Sequence, residues 1–356
     1  MNHRSRHQLI IILALLLLGT GLLTLPTEAE AVVCSQSPRS ERARCELGRS
    51  RALAPFSEPE IPTDSFLPDT TFGWVEDYAY FFDKPGPGAK PVRTARSGFF
   101  YGSSEQKVID VNGKVWYKVW GDWLPERYFH VVQMSQFKGI EVNRQPERPF
   151  GWVLRATVPA AAPAADPLPG TPELPRYTLV QMFDWKRGED GNTWYDVGPG
   201  QWVRYDTVAL TVPRERPGDV GPDDYWVDVD LTQQIFAAYE GDRLVYAGLV
   251  SSGLSRWRTR IGLNQVWERR LRTPMEGGTH GDDYYYIEAV PHNLFFDGEI
   301  ALHGAFWHDD FGRPKSHGCV NMAPYTAEWV FNWSKNAPND LWVWVHYANH
   351  EEILLY

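Results

Sequence analysis

With 356 residues, 43% of them hydrophobic and 22% charged, the chain is long enough for two to three domains and too apolar to be disordered. A formal net charge of −10 excludes a nucleic-acid binder that depends on a basic surface. Aromatic residues make up 14%, beside 30 Gly and 27 Pro, which favours short strands and turns over a helical bundle.

Residues 1–31 read as a signal peptide. Arg4 and Arg6 precede an uncharged apolar run, Leu9 to Leu25, and Ala29-Glu30-Ala31 supplies a small-residue cleavage site. At about 1.5 Å per residue the run reaches roughly 26 Å, slightly less than a hydrocarbon core of about 30 Å. The rest of the chain is therefore expected outside the cytoplasm, in the cell envelope or wall, and membrane-anchored if the segment is not cut. Residues 32–71 form an N-terminal tail. Its Cys34 and Cys45 are spaced to close a small disulfide loop, since thiols oxidise outside the cytoplasm. That leaves Cys319 free, and a free thiol in an exported protein points to catalysis.

Phe72-Gly73-Trp74-Val75 recurs as Phe150-Gly151-Trp152-Val153, and Trp116-Tyr117-Lys118-Val119 as Trp194-Tyr195-Asp196-Val197, both at an offset of 78. Each Trp-Tyr pair follows a turn, at Asn112-Gly113 and at Asp190-Gly191-Asn192. Two related β modules are expected, at 72–149 and 150–213. The Pro/Ala-rich stretch Ala156–Pro175 falls inside the second and is expected as an enlarged loop. The pattern resembles bacterial SH3-like modules, which implies possible binding of the cell wall by residues 72–213. Tryptophans filling small cores are the simpler expectation.

From Asp224 the pattern changes. Tyr225–Leu231 alternates, with Asp228 and Asp230 on one face and Val227, Val229 and Leu231 on the other, as in a strand buried on one side. Strands are also expected at Gln234–Tyr239, Leu244–Ser251 and Leu341–His346. A helix is expected at Pro324–Ser334, with Pro324 in its first turn and Val330 and Trp333 facing inward. Residues 348–356 form a tail.

Just before the helix come His303-Gly304 and Ser316-His317-Gly318-Cys319-Val320-Asn321. A cysteine attacks as thiolate, which an imidazolium and a nearby helix N-terminus both favour. Gly318 allows a tight turn that exposes amides to an oxyanion. Spacing does not choose between His303 and His317 as base. Nor does it exclude zinc held by His303, His308, His317 and Cys319.

The His…Ser-His-Gly-Cys-Val-Asn pattern resembles the L,D-transpeptidase catalytic domain of bacterial cell-wall enzymes, over residues 224–347. The resemblance implies a mainly β fold, a β-sandwich with one helix after the nucleophile loop. It implies Cys319 as nucleophile and His303 as general base, oriented by the carbonyl of Gly304. His317 and Gly318 would shape the loop, and the amides of Gly318 and Cys319 would form the oxyanion hole. Ser316 and Asn321 would hold the loop by hydrogen bonds. Thr259-Arg260-Ile261-Gly262 stands where relatives commonly carry Thr-Pro-x-Gly, which leaves the rigidity of that loop open. A lid is expected between Arg269 and Asp297, where Tyr284, Tyr285 and Tyr286 either line a substrate path or form a buried strand.

The implied reaction links a donor tetrapeptide stem to the amine of a second stem in a 3-3 cross-link, through a cysteine thioester. No metal or organic cofactor is required, and covalent trapping by carbapenems is implied. Rival readings are an L,D-carboxypeptidase on the same fold and a non-catalytic wall-binding scaffold. The oligomeric state and the stem's third residue are not read from the sequence.

Overall fold

Short runs of β-branched and aromatic residues, broken by Gly and Asp turns, give mostly short strands. The computed structural model describes residues 55–61, 66–198, 200–279 and 283–355. The signal segment 1–31 and the Cys34–Cys45 pair lie outside them. No helix among the described residues is long and apolar enough to cross a membrane.

The 78-residue repeat is a repeat of topology. Thr71–Val75 pairs with Phe99–Ser104 and with Phe129–Val131, while Phe150–Val153 pairs with Leu179–Gln181 and with Val208–Thr211. Val115–Val119 lies between Lys107–Ile109 and Asp122–Pro125, just as Thr193–Asp196 lies between Asp184–Arg187 and Trp202–Arg204. In register, Tyr117 is opposite Lys107 and Leu124, and Tyr195 opposite Trp185 and Val203. The turn chemistry repeats too. Asp110 accepts from the Asn112 amide at 2.8 Å and from Trp116 Nε1 at 3.0 Å, and Asp190 from Asn192 at 3.0 Å and Trp194 Nε1 at 3.1 Å. In each Trp-Tyr pair, then, the Trp is tied to the turn and the Tyr is buried in the core. The Pro/Ala-rich stretch is an enlarged loop, tied back through bridges Thr157–Leu174 and Ala160–Trp202.

The C-terminal part is mainly β. Its strands are β1 (Tyr225–Asp230), β2 (Ile235–Glu240), β3 (Arg243–Ser251), β4 (Gly262–Gln265), β5 (Glu268–Gly277), β6 (Tyr285–Asp297), β7 (Ile300–Gly304), β8 (Val320–Met322) and β9 (Trp342–His346). One ten-residue helix, α1 (Pro324–Trp333), follows β8. The order is β4-β9-β1-β2-β3-β8-β7-β6, with β5 paired to β6. Val227 and Val229, Phe236, Val250, Leu294, Leu302, Val320 and the inward face of α1 at Ala327, Val330 and Trp333 share one core. At roughly 25 cal/mol per Å² of apolar surface, that common burial is the dominant favourable contribution here.

The expected one-sided strand is corrected by the structure. Asp228 and Asp230 on β1 are as buried as the valines beside them, each 1% exposed. Arg214, from the segment after the second module, lies over both carboxylates, with Nε 3.7 Å from Asp228 and Nη2 3.5 Å from Asp230. It also pairs with Glu352, and His346 pairs with Asp228. The expected tail holds a short helix, α2 (His350–Leu354), capped by Asn349. It packs on the second module, where Ile353 joins the core and Trp185 Nε1 donates to the Leu354 carbonyl at 2.9 Å.

The first module joins the C-terminal sheet directly. β6 pairs in parallel with Phe99–Ser104, Tyr285 beside Phe99 and Ile287 beside Tyr101. The Phe99 amide donates to the Tyr284 carbonyl at 3.1 Å, and Glu288 accepts from the amide and hydroxyl of Ser103 at 2.8 and 3.0 Å. The expected lid, the β5–β6 hairpin, is thus fastened to the module.

Candidate active site

β7 and β8 run in parallel with His303 in register with Asn321. This places the His303-Gly304 segment beside the end of the loop that carries Cys319. Both side chains line one cavity of about 850 Å³. His303 is buried, and its Nδ1 donates to the Gly304 carbonyl at 3.2 Å. With the proton on Nδ1, Nε2 is left as a bare acceptor. Burial in apolar surroundings pulls the imidazole pKa down to about 4.

Cys319 is half-buried and free of any disulfide. Its thiol donates to the Glu299 carbonyl at 3.7 Å. Burial pushes its pKa up to about 11, against a smaller opposing pull from the Ala301 amide. The sequence led us to expect a thiolate favoured by an imidazolium and a helix N-terminus. Desolvation works the other way for both groups, lowering the imidazole and raising the thiol, and so favours the neutral forms. Strand β8 also separates Cys319 from α1 by about 10 Å of extended chain, beyond the reach of a helix dipole.

Ser316 knits the loop that carries Cys319. Its hydroxyl accepts from the Gly318 amide at 3.0 Å and donates to the Cys319 carbonyl. The expectation that Gly318 lends its amide to an oxyanion is therefore corrected, since that N–H is already bonded within the loop. Gly318 is needed for its backbone, with φ at +126°, a region that side chains disfavour. Asn321 does not hold the loop itself. Its side-chain amide lies 3.0 Å from His308 Nε2, while His308 Nδ1 accepts from the Asp310 amide at 3.2 Å. His317 is exposed and packs at a tilt against Trp257, at 3.7 Å between centroids, and Tyr285, at 4.9 Å. Tyr284 and Tyr285 line the cavity, whereas Tyr286 packs edge-on against Trp120 of the first module. Among the described residues no His, Cys, Asp and Glu side chains group so as to hold a metal ion.

The Thr259 loop is held firmly without a proline. The buried Thr259 hydroxyl accepts from the Gly253 amide at 2.9 Å and donates to the Gly318 carbonyl at 2.8 Å, and Arg260 pairs with Asp297. Thr259→Val keeps the shape and removes both bonds, leaving a covered amide unpaired. It is expected to destabilise the protein by about 1–3 kcal/mol in chemical denaturation and to slow reaction at Cys319, with Thr259→Ser restoring both. Unchanged stability and rate would show that the hydroxyl does not hold the loop.

Residues 224–345 match the family model of the L,D-transpeptidase catalytic domain (YkuD). The matched L,D-transpeptidase domain covers about a third of the chain and includes every site residue named above except those from the first module. No curated protein matches the chain. Solved structures similar to it include an L,D-transpeptidase from Mycobacterium smegmatis, with 19% identity, 46% of this chain and 76% of that one covered, and a TM-score of 0.33. A C442S mutant L,D-transpeptidase from Enterococcus faecium gives 20%, 38%, 55% and 0.32. L,D-transpeptidase 3 from Mycobacterium tuberculosis, in complex with a faropenem-derived adduct, gives 19%, 44%, 77% and 0.31.

The cavity has residues that the motif did not announce. Trp74, Asp77, Ser97, Gly98, Phe99 and Tyr101, all from the first module, form one of its walls. The usable signal lay in comparing the two copies. At the offset of 78, Asp77 corresponds to Arg155 and Tyr101 to Leu179, so the copies diverge where the first meets the cavity.

Proposed function

We propose that the protein is an exported cell-envelope L,D-transpeptidase that joins peptidoglycan stem peptides through a thioester on Cys319. The observation that carries the reading is a thiol and a buried, Gly304-bonded imidazole, both from the matched domain, lining one walled cavity. Cys319 attacks the carbonyl that precedes the terminal D-Ala of a tetrapeptide stem. His303 Nε2 takes the thiol proton and gives it to the departing D-Ala amine. A neutral amine of a second stem then attacks the thioester, forming an amide and breaking the C–S bond. His303 takes the amine's proton and returns it to the sulfur, which restores the resting pair. The Cys319 amide donates to the oxyanion at each stage. Ser316, Gly318 and Thr259 fix the loop, and His317 and Tyr285 with Trp257 flank the approach. In this reading residues 72–149 and 150–213 are separate modules of SH3-like type, ahead of a catalytic domain at 224–347.

Incubation of purified protein with tetrapeptide-bearing muropeptides, followed by mass spectrometry, tests this. The expected products are free D-Ala and 3-3 linked dimers. Shortened monomers alone would assign water as acceptor, making the protein a carboxypeptidase. No reaction, with Cys319→Ala retaining biological activity, would leave only a scaffold role.

A further inference from the structure

The cavity is built from two sides that carry different charges. The catalytic-domain side presents Cys319, His303, Arg256, Lys315 and His317 with a single acid, Asp283, and Lys315 is paired with Asp310. The Arg256 guanidinium sits over Trp257, 3.7 Å from its ring centroid, and Trp257 in turn packs at a tilt against His317. The module side presents the aromatic side chains of Trp74, Phe99 and Tyr101, with Trp74 stacked on His130, and one carboxylate, Asp77. That carboxylate is oriented from within the module, accepting from the Ser97 hydroxyl at 2.8 Å and the Gly98 amide at 3.2 Å. The wall is fixed relative to the nucleophile because the same module segment is hydrogen-bonded in parallel to β6. Gly98 makes the close approach possible. A Cβ there would lie 2.8 Å from Phe100 and 3.2 Å from the Tyr284 carbonyl.

We propose that this module wall is the subsite for the second substrate, a peptide bearing a primary ammonium group, and that Asp77 recognises that ammonium. The inference rests on the transpeptidase reading. The donor needs a cationic side for its terminal carboxylate, which Arg256 provides near the nucleophile. The acceptor arrives as a cation and needs the opposite. Asp77 holds it at encounter over the aromatic floor of Trp74 and Phe99, where its alkyl stem loses water contact. The ammonium then releases one proton to water, and the free amine attacks the thioester as described above. Asp77 makes no bond to the reacting carbonyl. The other acid lining the cavity, Asp283, also accepts a backbone amide, from Thr279 at 2.7 Å, but it belongs to the β5–β6 connection near His317 and not to the module's aromatic wall.

The test uses the full chain with a tetrapeptide donor and an amine-bearing stem peptide as acceptor. First, wild-type protein and donor alone are checked by intact mass for an acyl adduct on Cys319; its absence overturns the transpeptidase reading and this inference with it. With the adduct present, Asp77→Asn is expected to raise the acceptor KM about tenfold at little change in kcat, and to shift product from dimer toward hydrolysed monomer. Asp77→Glu restores the acceptor KM in part. Ser97→Ala, which frees the carboxylate to turn, gives a smaller rise. An acceptor KM unchanged in Asp77→Asn, or raised instead in Asp283→Asn, overturns the subsite while leaving the transpeptidase reading intact.

Discussion

Cys319→Ser lowers acyl transfer by about a thousandfold or more and abolishes the acyl adduct seen by intact mass after incubation with a carbapenem or a tetrapeptide donor. The size of the loss follows from the base. His303 is pulled down to about 4, so it is a weak proton acceptor. A thiol pushed up to about 11 is still within its reach once attack begins, because the proton moves as the C–S bond forms. A serine hydroxyl of nearly the same size holds its proton far more tightly and is not. The same two shifts predict the pH profile. The neutral pair prevails from about pH 5 to 10, so the rate contributed by these groups is flat there and falls below as His303 takes a proton. The lowered imidazole pKa also means that the unfolded chain binds the extra proton more readily. Stability is therefore lost as pH falls from 6.5 toward 4. A bell centred near pH 7 would contradict the neutral pair. An adduct on the serine variant of unchanged yield would remove Cys319 as nucleophile.

Arg214→Met costs about 3–5 kcal/mol of folding stability, measured by urea or thermal unfolding, although Arg214 touches nothing in the cavity. Its guanidinium compensates two carboxylates that are each 1% exposed and also reaches Glu352. Methionine fills similar space but leaves Asp230 without its guanidinium and Asp228 with only His346 opposite it. Asp230 shows the strain already. Burial first, and then the charge of Asp228, raise its pKa despite amide bonds from Thr232 at 2.8 Å and Gln233 at 3.1 Å. An acid with a raised folded pKa contributes most below the ordinary carboxylate value of 3.8, and that contribution is lost as pH rises through the folded value. Removing Arg214 raises it further, so the variant's deficit grows with pH. Adding Asp228→Asn and Asp230→Asn returns part of the loss. A variant as stable as wild type at pH 8 would show that the cluster is not a charged one.

These residues also mark what the sequence could and could not reveal. The alternation in Tyr225–Leu231 is real, and the strand forms, but its acidic face looked solvated because Arg214 and His346 lie 16 and 118 positions from their acids. Cover that comes from far along the chain leaves no local trace. The repeat was readable because turn and core chemistry recur together, Asp110 with Trp116 and Asp190 with Trp194. His303 and Cys319 stood out because a free thiol and a histidine flank short Gly turns before a helix. The direction of their pKa shifts did not, because desolvation depends on packing from several strands. The Gly318 amide was misassigned for the same reason: its partner, Ser316 Oγ, is only two residues away but needs the folded loop to reach it. The module wall stayed hidden because parallel pairing between Tyr285–Ile287 and Phe99–Tyr101 carries no sequence signature.

That pairing has a practical side. A fragment trimmed to the boundaries of the family match, 224–345, would keep the thiol and the imidazole but strip the partner strand from β6. It would also uncover β3, where Ile140–Val142 now lies antiparallel to Tyr246 and Ala247. Bare, hydrophobic strand margins recruit other chains. Truncation at those limits thus invites aggregation, and keeping both sheet margins covered calls for starting upstream of Thr71.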